Sequence, residues 1–426
     1  MPHDSCGIFL WDGRRFPFLW IYGTLCPTYL WGCFISRLLA AFLAALILLS
    51  VSACGASEPE QEAQEQPAQK TEEPVEKPEP TPEELSAQRI DALLSSMSLE
   101  EKVGQLFFVR CPAENAVEDV GTYHLGGYLL FGRDFKDKTA NEIIQTIASY
   151  QDASRTPMLI GVDEEGGTVV RVSSNPNLRS SKFASPQKLF ASGGMDEILE
   201  NTKEKDRLLS ALGINVNFAP VADLSTNASD FIYSRSFGQD AAATGEYVSS
   251  VVFQMSSDNM GSVLKHFPGY GNNVDTHTGI ALDERPYEQF LNEDFDPFRA
   301  GITSGRTEAG QQTTSVLVSH NIVTCMDPDL PASLSPEAHR ILREELGFDG
   351  VVMTDDLAMD AVAAYAEDGA VAVMSLAAGN DIVLTTDYRT QIPKVIEAVE
   401  SGALSEEIIN IACYRVLKWK DALGLF

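Results

Sequence analysis

Positive charge is scarce in this 426-residue sequence: Lys and Arg total 31 against 61 Asp and Glu, a formal charge of −30. A sequence-independent grip on nucleic acid needs clustered cations, so that class of function is excluded. Electrostatic docking on anionic lipid is disfavoured for the same reason. Paired cysteines are also lacking. No CxxC occurs, and no Cys/His cluster has zinc-ligand spacing. Four of the seven Cys (Cys6, Cys26, Cys33 and Cys54) precede the globular region. The other three, Cys111, Cys325 and Cys413, are widely spaced and read as small buried hydrophobes. No Gly-rich phosphate turn follows an early strand, which argues against a doubly wound dinucleotide-binding sheet.

Hydrophobic residues make up 44% of the chain, enough for a substantial core. The longest apolar run, LLAAFLAALILLS at 38–50, follows Arg37. Thirteen residues span about 20 Å of helix, short for a membrane crossing and suited to a signal-peptide core. Val51-Ser52-Ala53-Cys54 comes next and resembles the lipobox of bacterial lipoproteins, in which the Cys carries acyl chains. Residues 1–53 are therefore read as the signal region, with 1–34 attributed to a start codon placed too early. Residues 54–85 begin at the lipidated Cys54 and are rich in Pro, Glu and Gln without aromatics. Such a segment cannot bury enough apolar surface to order itself, and is read as an extended tether. The expected location is outside the cytoplasm, anchored to a bacterial membrane by lipid.

Residues 86–426 alternate apolar β-rich runs with helical patterns. The runs are QLFFV (105–109), GGYLLF (126–131), PMLIGV (157–162), NVNFAP (215–220), SVLKHF (262–267), SVLVSH (315–320), GVVMTD (350–355) and NDIVLTT (380–386). Helical patterns are read at 138–152, 240–259, 287–304, 335–346, 360–377 and 405–421. Buried strands alternating with helices imply a parallel sheet covered by helices. Eight units predict a (β/α)8 barrel, with an open doubly wound sheet as the structural alternative. Barrel enzymes act at the C-terminal ends of their strands, and polar residues recur there: Asp163 and Glu165, Asp223, Lys265 and His266, His320, Asp355 and Asp356.

A carboxylate ending a barrel strand suits a glycosidase nucleophile, which points to Asp355. Its neighbour Asp356 suits the helix cap that follows. In KHFPGYGNNVDTHTG (265–279), Asp275 and His277 lie two residues apart in a Gly-rich loop. That spacing allows a carboxylate to orient an imidazole for proton transfer. Lys265 and His266 suit sugar hydroxyls, with an ion pair to Asp163 or Glu165 as the structural reading. Arg171 and Arg235 suit bidentate contacts or structural salt bridges.

These motifs resemble glycoside hydrolase family 3, in its single-domain β-N-acetylglucosaminidase branch, from about residue 90 to the C-terminus. MSLEEKVGQLFF resembles the family's opening helix and first strand. GVDEEGGTVVR, SRSFGQD and KHFPGYGNNVDTH carry over Asp163, Arg171, Arg235, Lys265 and His266 as sugar contacts. The loop motif also carries over His277 with Asp275 as the acid/base dyad, and LREELGFDGVVMTDDLAM carries over Asp355 as nucleophile. The chain ends soon after its eighth run, so the proton is expected from the barrel's own loop. This loop departs from the family pattern at Tyr270 and Asn272-Asn273, and Thr168 replaces a usual Arg.

The resemblance implies cleavage of terminal β-linked N-acetylglucosamine (GlcNAc) with retention, through a glycosyl-Asp355 intermediate, without metal or organic cofactor. Peptidoglycan fragments or other GlcNAc-terminated glycans are the expected substrates. Alternatives within the family are a β-glucosidase or β-xylosidase, or a GlcNAc phosphorylase. Beyond it stand a two-lobed sugar-binding lipoprotein and a metallohydrolase using His266, His277, His320 and Asp355.

Overall fold

Eight parallel strands form the framework of the computed structural model: β1 Phe107–Arg110, β2 Gly127–Leu130, β3 Leu159–Val162, β4 Val216–Asn217, β5 Gly261–Phe267, β6 Thr314–Val318, β7 Val352–Thr354 and β8 Val383–Thr385. The structure describes residues 80–274, 281–359, 362, 365 and 370–426. The expected signal region, Cys54, Asp275 and His277 lie outside the described residues. So does the tether as far as residue 79.

The strands pair in sequence order, with β8 beside β1. A parallel bridge from Met353 to Ile382, with Ile382 N–H donating to Val352 O at 3.1 Å, joins β7 to β8 and closes the ring. This is the (β/α)8 barrel expected from the eight runs; an open sheet would leave β7 and β8 as edges. The strands are buried along nearly their whole length, as near-continuous apolar runs require. Phe108 and Phe218 meet edge to face at 5.4 Å, filling the space between β1 and β4.

Helix starts follow their capping chemistry. Thr81, Ser98 and Thr139 each form a capping box with a Glu three residues on: Glu84, Glu101 and Glu142. The first of these starts the helix Pro82–Ser96 inside the stretch assigned to the tether, four residues ahead of the expected boundary. Pro and Glu read as disorder there, yet Pro at N1 and Glu at N2 and N3 are also favourable helix starts.

Besides Pro82–Ser96 and the single turn Gly132–Phe135, three longer helices among the described residues escaped the periodicity reading. Ala116–Tyr123 is only eight residues long. Pro186–Ala211 is interrupted by Gly194 in a non-helical conformation, and Tyr388–Glu400 contains Pro393. Short length, Gly and Pro each weaken a 3.6-residue pattern. Cys111 and Cys413 are buried as expected, but Cys325 is exposed. Its segment, after β6, runs over the surface, where loops belong.

Candidate active site

The C-terminal ends of the strands surround a cavity of about 300 Å³ lined by Asp163, Arg171, Arg235, Lys265, His266 and Asp355, together with Arg110, Phe131 and Asp356. Six of the residues singled out in the sequence thus share one space. Their order in the chain spans nearly 200 residues, and only barrel closure brings them together.

Lys265 Nζ reaches Asp163 Oδ1 at 2.8 Å and Glu165 Oε1 at 2.5 Å. Arg235 forms a bidentate pair with Glu165, Nε to Oε2 at 3.0 Å and Nη2 to Oε1 at 2.8 Å. Burial by itself would push the Glu165 carboxyl upward. The charges of Arg235 and Lys265 outweigh it and hold the carboxyl well below the usual carboxylate range. Lys265 and Arg235 are therefore structural ion-pair members and cavity-lining cations at once. Each keeps N–H donors beyond those used on Glu165 and Asp163. Arg171 approaches Asp163 Oδ2 at 3.5 Å.

His266 is oriented from behind by Asp223. That carboxylate takes the ring Nδ1 at 2.7 Å and the His266 backbone N–H at 3.1 Å. Arg235 Nη2 lies 3.3 Å from His266 Nε2. Arginine only donates, so Nε2 accepts and the ring proton sits on Nδ1, given to Asp223. The β5–β6 register shifts between Leu264 and Phe267, a bulge that falls on Lys265 and His266. Bulges re-aim side chains beside active sites, and here both side chains reach the cavity. The Lys265–His266 and Phe267–Pro268 peptide bonds are cis.

Glu164 is fully buried, and its carboxylate accepts the backbone N–H groups of Arg171 and Val172, each at 2.7 Å. It also bonds the Ser173 hydroxyl. This carboxylate folds the loop after β3 back so that Arg171 faces the cavity. Gly166 sits at φ +107° with Ala184 O only 2.2 Å from where a Cβ would stand, so the loop demands glycine there.

At the opposite wall, Asp355 follows β7, and its N–H donates to Val318 O at 3.0 Å. Asp356 Oδ1 accepts from Ala358 N–H at 3.0 Å, the local cap assigned to it. Burial, with the neighbouring Asp355 charge adding to it, raises the Asp356 carboxyl. His320 donates or accepts at Ser333 Oγ (2.7 Å) and contacts the Asp356 carbonyl at 3.1 Å. It thus supports the turn that carries the two Asp rather than lining the cavity.

Sequence reasoning gave no role to Glu164, Asp223, Arg110 or Phe131. Asp223 was visible only as one more polar residue at a strand end. Nothing local in FAPVAD signals a partner 43 residues away.

The model for the glycosyl hydrolase family 3 N-terminal domain matches residues 98–419. The chain belongs to glycosyl hydrolase family 3. This family 3 chain is 32% identical over 311 residues to the β-hexosaminidase of Stenotrophomonas maltophilia (strain K279a), covering 70% of this chain and 86% of the relative. It is 30% identical over 343 residues to β-hexosaminidase LpqI of Mycobacterium tuberculosis (strain ATCC 25618 / H37Rv), covering 78% of this chain and 84% of the relative. A solved family 3 β-N-acetylglucosaminidase from Paenibacillus sp. str. FPU-7 superposes with a TM-score of 0.71 at 29% identity, over 78% of this chain. The chain spans 63% of that longer protein.

Replacing Glu165 by Gln leaves two cations facing a neutral amide in a buried setting. Folding stability is expected to fall by about 3–5 kcal/mol at pH 7. The stability that a depressed carboxyl contributes is present above its unfolded value, about 4.3, and lost as pH falls through it and below. Denaturant titrations of both proteins at pH 7 and pH 3 should therefore show a large gap at pH 7 that narrows at pH 3. A gap independent of pH would contradict the ion-pair account.

Proposed function

We propose that the chain is a retaining exo-β-N-acetylglucosaminidase that removes non-reducing terminal β-linked GlcNAc, acting outside the cytoplasm from a lipid anchor at Cys54. The observation that carries the proposal is the single cavity in which Asp355 faces the cluster of Asp163, Arg171, Arg235, Lys265 and His266. The names of the family 3 relatives, β-hexosaminidase and β-N-acetylglucosaminidase, support the sugar preference.

In this mechanism the cluster grips the hydroxyls of the terminal sugar and holds its anomeric carbon against Asp355. Asp355 attacks while protonated His277, oriented by Asp275, gives its proton to the leaving oxygen. A glycosyl ester on Asp355 forms. His277 then takes a proton from water, which displaces Asp355 from the anomeric carbon. Two inversions leave the product β.

Asp355→Ala is expected to lower kcat on an aryl β-GlcNAc substrate by more than about 10³-fold, the scale of losing a covalent step. His277→Ala should cost about 10²–10⁴-fold on a GlcNAc disaccharide and far less on an aryl glycoside with an activated leaving group. Full activity of either variant sinks the assignment. Inorganic phosphate added to the same assay tests the alternative acceptor through the appearance of sugar phosphate.

Peptidoglycan fragments are the proposed substrates, because their aglycone carries a carboxylate and the cavity offers a cation to meet it. Arg110 lies over the Phe131 ring at 4.2 Å and lines the same cavity as Asp355. A hydrogen bond to a charged group contributes about 1.5–3 kcal/mol, so Arg110→Gln should reduce the kcat/KM ratio of acid-bearing to neutral aglycones by at least about tenfold. An unchanged ratio removes this argument for the acidic substrate.

The anchor rests on the apolar run 38–50 followed by Val51-Ser52-Ala53-Cys54. Cys54→Ala should shift the protein from the membrane pellet to the soluble fraction of producing cells. Pelleting of the variant as efficiently as wild type would refute the anchor.

A further inference from the structure

The segment that leaves β5 and the segment that returns toward the next helix are joined by one side chain. Gly269–Val274 follows β5 and Ala281–Arg285 precedes the next helix. Arg285 Nη2 donates to Gly269 O at 2.8 Å and to Asp283 Oδ2 at 2.7 Å. Its Nη1 donates to Asp294 Oδ1 at 3.0 Å, and its Nε to Asp283 Oδ1 at 3.0 Å. Asp283 and Asp294 are buried, and the guanidinium lies over the Phe290 ring at 4.4 Å. Asp283 Oδ2 also accepts Asn273 Nδ2 at 2.7 Å, which adds a second bond to the outgoing stem.

Both stems are tied further into the barrel. Tyr270 N–H donates to Asp223 Oδ1 at 2.7 Å, on the carboxylate that orients His266. On the return, Leu282–Asp283 pairs in parallel with Ile322–Val323, just after β6. Gly271 packs against the guanidinium so closely that a Cβ there would stand 2.5 Å from Arg285 Cζ. Arg285 thus meets three chain segments at once with a planar fork of donors. A lysine, a point charge with three donors, cannot reproduce that geometry.

We propose that Arg285 is a positioning residue for the reaction: it clamps the stems Gly269–Asn273 and Ala281–Arg285 together and so sets the points from which the proton-donating segment starts and ends. The inference rests on the assignment of His277 as acid/base. His277 is three residues beyond Val274 and four before Ala281. An extended chain covers at most about 3.6 Å per residue, so a connection of six residues between the stems depends closely on where the stems stand. Displacing the stems by even an ångström shifts the points that bound this connection relative to Asp355, and proton transfer tolerates little misplacement.

The test is leaving-group dependence in Arg285→Lys, with His277→Ala beside it. Arg285→Lys should lower kcat on a GlcNAc disaccharide by about 30–100-fold, but by less than about fivefold on a dinitrophenyl β-GlcNAc glycoside, whose departure needs little proton donation. KM should change little on either. Asn273→Ala, which removes the outgoing stem's bond to Asp283 together with the Asn273 bond to Tyr270 O within that stem, should show the same split at smaller size and serves if Arg285→Lys does not fold. Equal losses on both substrates, or no loss, overturn the clamp. A leaving-group effect in His277→Ala without one in the clamp variants overturns the clamp while the His277 assignment stands. Its absence in His277→Ala overturns both.

Discussion

Glu165 is the carboxylate on which the cation-lined half of this cavity depends. It is buried and shared by Lys265 from β5 and Arg235 from the loop after β4, with Asp163 as a second partner of Lys265. Burying a charge without partners is costly, and burying two cations without an anion is worse. The three groups are stable inside the barrel only as a set. Their mutual pairing locks the cations in place before any ligand arrives, while leaving them further donors. Preorganised donors lose little ordering entropy on binding, which favours discrimination among sugar hydroxyl patterns.

A second carboxylate layer acts behind the first. Glu164 bonds consecutive backbone N–H groups at Arg171–Ser173, and Asp223 orients His266 while holding the N–H of Tyr270. Neither touches the cavity, yet each decides where a cavity residue points. The opposite wall follows the same logic. Asp356 takes the local N–H of Ala358 and His320 braces the turn, while Asp355 and Asp356 both line the cavity. Two adjacent Asp of identical chemistry acquire different hydrogen bonds: Asp355 accepts the Asp356 N–H, and Asp356 that of Ala358.

The eight strands were legible because buried parallel strands read as apolar runs with polar ends, and all eight runs became barrel strands. The site residues at those ends were legible for the same reason: the chain's polarity switches abruptly where a strand meets the barrel mouth. Most long helices without internal Gly or Pro were legible; Pro82–Ser96 was not, because its Pro and Glu read as tether. Pro186–Ala211 escaped because Gly193-Gly194 interrupts it, although its Ser185 cap and Pro186 were present as signals. Cys325 defied a composition argument, since wide spacing says nothing about depth. Lys265 stood between a sugar contact and an ion pair in the sequence. The structure supplies the ion pair at 2.8 Å to Asp163 and also places Lys265 on the cavity wall.

The amino-acid sequence by itself determined the alternation of strand and helix, the number of units and the end of each strand at which polar residues gather. These are local properties, written in runs of a few residues and in capping chemistry. Partner choice was decided only by tertiary structure: Glu165 with Lys265, Asp223 with His266, Arg285 with Gly269 and Asp294. Those pairs join residues from 9 to 100 positions apart. Whether two charges pair depends on the angle and register at which strands close into a ring, and no short stretch of sequence encodes that geometry.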